Sequence, residues 1–136
     1  MEKLIYAFKI TEYSSNEYVL EYPLPEMKIF GSGKTLADVI EQAQSLLEFT
    51  LFDMLESDEE IPIVEPSQIK TLESNKADNE YIILVTTDMK TVVQKFGDAP
   101  VKKTISIPQY MEFLLNKNDI SLSKYLQSKI EQDFLR

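Results

Sequence analysis

Thr35-Leu36-Ala37-Asp38-Val39-Ile40-Glu41-Gln42-Ala43-Gln44-Ser45-Leu46-Leu47-Glu48-Phe49-Thr50-Leu51-Phe52-Asp53-Met54-Leu55-Glu56 is the clearest helical pattern in the chain. Leu36, Val39, Ile40, Ala43, Leu46, Leu47, Leu51, Met54 and Leu55 recur at helical spacing and form one apolar stripe. Thr35 is placed to cap the first turn, with the acid Asp38 near the positive end of the helix dipole. At 1.5 Å per residue, a helix over 36–56 is roughly 31 Å long. A helix with one long apolar face needs a surface to lie on, and the preceding residues supply it. Leu4, Tyr6, Phe8 and Ile10 alternate within Lys3–Ile10, Ser14-Ser15-Asn16 is a turn, and Tyr18–Tyr22 is a second strand. Pro23 and Pro25 then interrupt the ladder, because proline has no N–H to donate.

Met27–Phe30 reads as a third short strand, ended by a turn at Gly31-Ser32-Gly33. Beyond the helix, Ser57-Asp58-Glu59-Glu60 is a stop, and 61–67 leaves as an extended, proline-stiffened segment. A polar stretch around 74–79 leads into the strand Tyr81–Val85. Strand, strand, short strand, long helix, strand defines an α+β domain, a small antiparallel-type sheet with the helix against one face.

Composition narrows the chemistry. The 136 residues contain no Cys and no His, which removes thiolate nucleophiles, disulfides, thiolate zinc sites and imidazole ligands. It also removes the side chain best suited to proton transfer near neutral pH. Gly31-Ser32-Gly33-Lys34-Thr35 imitates the tail of a phosphate-binding loop, but Lys28 stands where the first glycine is required. The acids of Glu56–Glu60 form a contiguous run, whereas a metal site needs ligands converging from several elements. The first strand, Lys3–Thr11, holds no Asp or Glu. We expect no enzyme activity, no metal and no cofactor. No apolar run approaches the ~18 residues of a bilayer span and the N-terminus lacks a signal-peptide pattern, so the expected location is cytoplasmic, away from membranes.

Net charge is −9, which taken alone argues against nucleic acid. It is unevenly distributed. Residues 1–98 hold eight Lys against nineteen Asp and Glu, a net −11, while residues 99–136 hold five Lys and Arg136 against four acids, a net +2. The sign changes beside Gly97 and Pro100, where a boundary between domains 1–98 and 99–136 is expected.

Val101–Pro108 reads as a strand running into a proline suited to a helix's first turn. A short helix over Gln109–Asn116 follows, then a second helix capped by Ser121, with Leu122, Tyr125, Leu126, Ile130 and Phe134 on one side. So few residues cannot bury a core alone, since chains below ~40 residues usually need staples or partners. Dimerisation solves this, with two strands paired over four helices. The core would then take Ile105, Ile107, Leu114, Leu122, Leu126 and Ile130. Lys102, Thr104 and Ser106 would point outward as a ribbon for the major groove, with Lys103, Ser121, Ser123 and Lys124 at phosphate. The alternative is an amphipathic hairpin docked on its own domain.

These residues together resemble the HicB antitoxin family along nearly the whole chain. The resemblance rests on Tyr18-Val19 before Pro23 and Pro25, Gly33-Lys34-Thr35-Leu36, Glu41-Gln42-Ala43, Glu60-Ile61-Pro62 and Pro66-Ser67. It continues in Lys103–Pro108 and Ile120–Leu126, a pattern common to ribbon-helix-helix repressors. The family's Pro-Asp-Leu-Pro-Gly-type loop appears as Tyr22-Pro23-Leu24-Pro25-Glu26-Met27, without its Asp and Gly and one residue longer. The resemblance implies a degenerate RNase H-like domain followed by a ribbon-helix-helix. It also implies an antitoxin that neutralises a small basic HicA-like mRNA-cleaving ribonuclease and represses its own operon at operator DNA, as a homodimer or higher assembly. Around the variant loop, Glu21, Tyr22 and Glu26 are the expected toxin contacts. A ribbon-helix-helix regulator with a ligand-sensing α/β domain and no toxin is the other reading.

Overall fold

The computed structural model describes residues 3–135, which divide after Gly97 into two compact units. In the first unit a twelve-residue strand, β1 (Lys3–Ser14), is followed by β2 (Glu17–Glu21) and β3 (Phe30–Gly33). Then come α1 (Leu36–Glu56), α2 (Pro66–Asn75), β4 (Glu80–Asp88) and α3 (Met89–Phe96). The sheet order is β3-β2-β1-β4 and every pairing is antiparallel. β1 pairs with β2 on one side and with β4 on the other, Ile10 lying opposite Leu20 on one flank and Tyr81 on the other.

Alternation along β1 sends Tyr6, Phe8 and Ile10 to one face, where they are fully buried. Val39, Ala43, Leu47 and Leu51 come down on them from α1, spaced at four residues so that each stacks over the last. The Asp38 N–H donates to Thr35 Oγ1 at 3.1 Å and closes the first turn. At the other end Asp58 adopts φ 56°, a left-handed turn that Asp tolerates, and the Glu59 N–H reaches back to the Met54 carbonyl at 2.8 Å. Tyr22 completes the core with its ring edge-on to Phe8, centroids 5.5 Å apart.

Three expectations are corrected. The third strand lies at Phe30–Gly33 rather than Met27–Phe30, so Gly31-Ser32-Gly33 is strand and not turn. The glycine has a packing cause: a Cβ on Gly31 would stand 2.5 Å from Gln42 Oε1, while Gln42 Nε2 donates to the Ser32 carbonyl at 2.7 Å. The segment read as extended and then polar contains α2, started by Pro66 and by Gln68 Oε1 accepting from the Glu65 N–H. A third helix, α3, was not expected; Asp88 caps it by accepting from the Thr91 N–H at 2.7 Å.

The second unit, residues 98–135, contains α4 (Gln109–Lys117) and α5 (Leu122–Phe134). Ser121 Oγ accepts from the Lys124 N–H at 3.2 Å as the cap of α5. Asp119, also at φ 56°, turns the chain between the two helices, with the Ile120 N–H bonded to the Leu115 carbonyl. The strand expected over 101–108 is not formed. A strand exists through ladder bonds to a neighbour, and a single copy offers this segment no second strand. Among the described residues of this unit none is buried.

Leu47→Ala should destabilise the first unit by ~2–5 kcal/mol, because the side chain is fully enclosed and its removal leaves a cavity. Chemical denaturation followed by far-UV circular dichroism checks this.

Candidate functional surfaces

In the second unit, Lys102, Lys103, Thr104 and Ser106 are all exposed on the segment that precedes α4. Ser123 Oγ accepts from Gln127 Nε2 at 3.1 Å, and Lys124 projects from the first turn of α5. The six residues assigned to a dimer core lie open: Ile105, Leu114 and Ile130 are 50–56% exposed, and Ile107, Leu122 and Leu126 are half-buried. Val101, Tyr110, Phe113 and Phe134 are exposed as well. Ile107, Leu115, Ile120 and Leu122 line a hollow of about 370 Å³. Exposed apolar side chains this dense are the mark of an interface rather than of a solvated surface.

In the first unit, all three helices contribute to the core on the Tyr6–Phe8–Ile10 face; on the other face Ala7 is buried, while Ile5 and Leu84 are exposed. There Lys9 Nζ sits 2.8 Å from Glu21 Oε1 and 3.4 Å from Glu80 Oε2. The hydrogen bond to Glu21 raises the Lys9 pKa against the opposing effect of burial. The Ala77 N–H, then the Lys9 charge, hold the Glu80 carboxyl below its ordinary range against some desolvation.

The three expected toxin contacts separate. Glu21 is on this second face, and Glu26 is exposed beside a hollow lined by Glu60, Ile61, Pro62 and Ile63. Tyr22, by contrast, belongs to the core at 5% exposure, since the apolar ring fills the end of the sheet. Among the described residues its hydroxyl is buried without a hydrogen-bond partner, and burial pushes its pKa up to about 12. Nearby, the Tyr6 hydroxyl donates to the Pro62 carbonyl at 2.8 Å and fastens the 59–65 segment to the sheet.

One polar cluster was not anticipated. Glu48 faces inward from α1 at 3% exposure, accepting from Thr87 Oγ1 at 2.8 Å and Gln44 Nε2 at 3.2 Å and pairing with Lys95 Nζ at 2.8 Å. Burial pushes this carboxyl up, but the bonds from Lys95, Thr87 and Gln44 and the Lys95 charge together lower it below its usual value. It ties α1, β4 and α3 together. In sequence it was hidden because the partners lie 39 and 47 residues away. Among the described residues no group of three or more acids could hold a metal ion, and no helix is long and apolar enough to cross a membrane.

No sequence-family profile matches the chain, and no curated protein matches it in sequence. Solved structures do match in shape. A chain of a toxin–antitoxin complex from Streptococcus pneumoniae aligns with a TM-score of 0.52 at 21% identity, covering 97% of this chain and 99% of that one. The antitoxin HicB of Burkholderia pseudomallei aligns with a TM-score of 0.53 at 13% identity, covering 96% of each. The protein therefore has the fold of a HicB-type antitoxin, a four-stranded antiparallel sheet with helices.

Lys95→Met should cost the fold ~1–3 kcal/mol, reduced by the half-exposed position of the lysine. A depressed folded-state pKa stabilises above the unfolded carboxylate pKa and is lost as pH falls. Without Lys95 that contribution is absent, so the difference in stability between wild type and variant should be largest near neutral pH and shrink as pH falls through the carboxylate range, measured by denaturation at a series of pH values.

Proposed function

We propose that the protein is an antitoxin that binds and neutralises a small basic mRNA-cleaving toxin and represses its own operon. The observation that carries this reading is the whole-chain likeness to two structures, one from a toxin–antitoxin complex and one an antitoxin. Residues 1–98, at −11, act as the toxin-binding, degenerate RNase H-like domain, since opposite charge steers a basic ribonuclease toward them. Glu21 and Glu26 are the carboxylates offered to it; Tyr22 contributes through the core instead. The domain cleaves nothing, and a purified chain with Mg²⁺ leaves RNA and RNA–DNA hybrids intact.

Residues 99–136 pair with a second copy as a ribbon-helix-helix. Two 101–108 segments then supply each other's missing ladder, and the exposed faces of Ile105, Leu114, Leu122, Leu126 and Ile130 close on one another. Thr104 and Ser106 read bases, Lys102 lies beside them, and Lys103, Ser123 and Lys124 hold phosphate with the α5 N-terminus, where Ser121 is the cap.

The reading frame beside this gene is expected to encode a small basic protein, and co-expression with it should yield a stable complex that lacks ribonuclease activity. A basic neighbour that neither binds nor is inhibited would overturn the reading and favour a toxin-free regulator. Leu126→Glu with Ile130→Glu should turn a dimer into a monomer in sedimentation and abolish operator binding while toxin binding persists. Thr104→Ala and Ser106→Ala should each cost ~1–3 kcal/mol at the operator and relax its sequence preference, measured by fluorescence anisotropy across operator variants.

A further inference from the structure

β4 forms one margin of the sheet. The Glu12 N–H donates to the Asn79 carbonyl at 2.8 Å, one step beyond the β1–β4 register, and in an antiparallel ladder the bonded pairs alternate. Tyr81, Ile83 and Val85 therefore turn their backbone groups to β1, while Ile82, Leu84 and Thr86 turn theirs away. The bond from Gln44 Nε2 to the Thr86 carbonyl, 3.2 Å, fits this orientation and occupies one outward acceptor. The N–H and C=O groups of Ile82 and Leu84 face outward between it and Glu80.

Natural edge strands are shielded by charge, proline, bulges or shortness. Here the stretch Tyr81-Ile82-Ile83-Leu84-Val85-Thr86-Thr87 has none of these, and its residues are strong strand formers. Leu84 is 54% exposed and Ile5 is exposed on the same sheet face, with Ala7 buried beside them. The only charges of β4 are acidic and stand at its ends, Glu80 and Asp88. The positive charge of Lys9 is already matched by Glu21 and Glu80. A second copy of this edge would bring another −11 body against the first, whereas a basic protein meets opposite charge.

We propose that the β4 edge is the docking strip for an extended strand of the basic toxin, joined main chain to main chain at Ile82 and Leu84, with an apolar side chain over Leu84 and Ile5. This rests on the antitoxin reading above. Backbone pairing supplies affinity here and the side-chain contacts specificity.

The test uses the whole 136-residue chain and the small basic protein expected from the neighbouring reading frame. Residue-resolved hydrogen exchange on the free chain should show fast amides at Ile82 and Leu84 and slow ones at Tyr81, Ile83 and Val85. Adding the toxin should slow Ile82 and Leu84 by about tenfold or more. Leu84→Lys, at an exposed position that leaves the β1 ladder intact, should weaken toxin binding at least about tenfold, while Ile40→Lys on the outer side of α1 should not. If the toxin binds but neither the amides nor Leu84→Lys respond, the edge proposal fails and the antitoxin reading stands. If Ile82 and Leu84 are already slow in the free chain, a second copy or another part of the protein holds the edge, and the proposal fails. If no toxin binds, both fall together.

Discussion

The first unit depends on one contact surface, the α1 stripe Val39-Ala43-Leu47-Leu51 lying across Tyr6, Phe8 and Ile10 of β1. Neither partner is stable alone. A strand needs neighbours for its backbone, and a helix with one apolar side needs that side covered. β1 answers both needs, because its backbone bonds run sideways to β2 and β4 while its side chains point up to the helix. Everything else in the unit is arranged around that crossing. Gly31 and Gly33 let β3 come close under the N-terminal half of α1, and the Glu48 cluster binds its middle to β4 and α3.

The same crossing explains which parts of the fold were legible in the sequence. Period-two alternation in β1 and the helical period in α1 both come from burial on one side, and each was readable at nearly its full extent. α2 buries no side chain, so its sequence carries no apolar stripe, and the start signal Glu65-Pro66-Ser67-Gln68 was masked by prolines that also suit an extended chain. α3 spans only eight residues, with one of them, Val92, buried. β3 was misplaced because glycine signals both a turn and a close approach, and only the position of Gln42 tells them apart.

Among the candidate surfaces, Lys102, Thr104 and Ser106 are exposed, but so are Val101 and Ile105 beside them, so their exposure is not the alternation that the sequence pattern suggests. Tyr22, an expected toxin contact, has its ring in the core against Phe8, a placement that local sequence does not signal. Glu48 could not be found at all, since a carboxylate on a helix counts as solvated until the third dimension supplies Thr87 and Lys95.

The absence of any buried residue among the described positions of 98–135 has a thermodynamic consequence. The first unit folds by a unimolecular equilibrium, and dilution leaves its folded fraction unchanged. On the proposed pairing, the second unit folds only as it associates, so its folded fraction depends on how much protein is present. One polypeptide then carries two kinds of stability. On the proposed function, at low copy number the toxin-binding half would remain competent while the DNA-binding half came apart, so repression would fade before neutralisation.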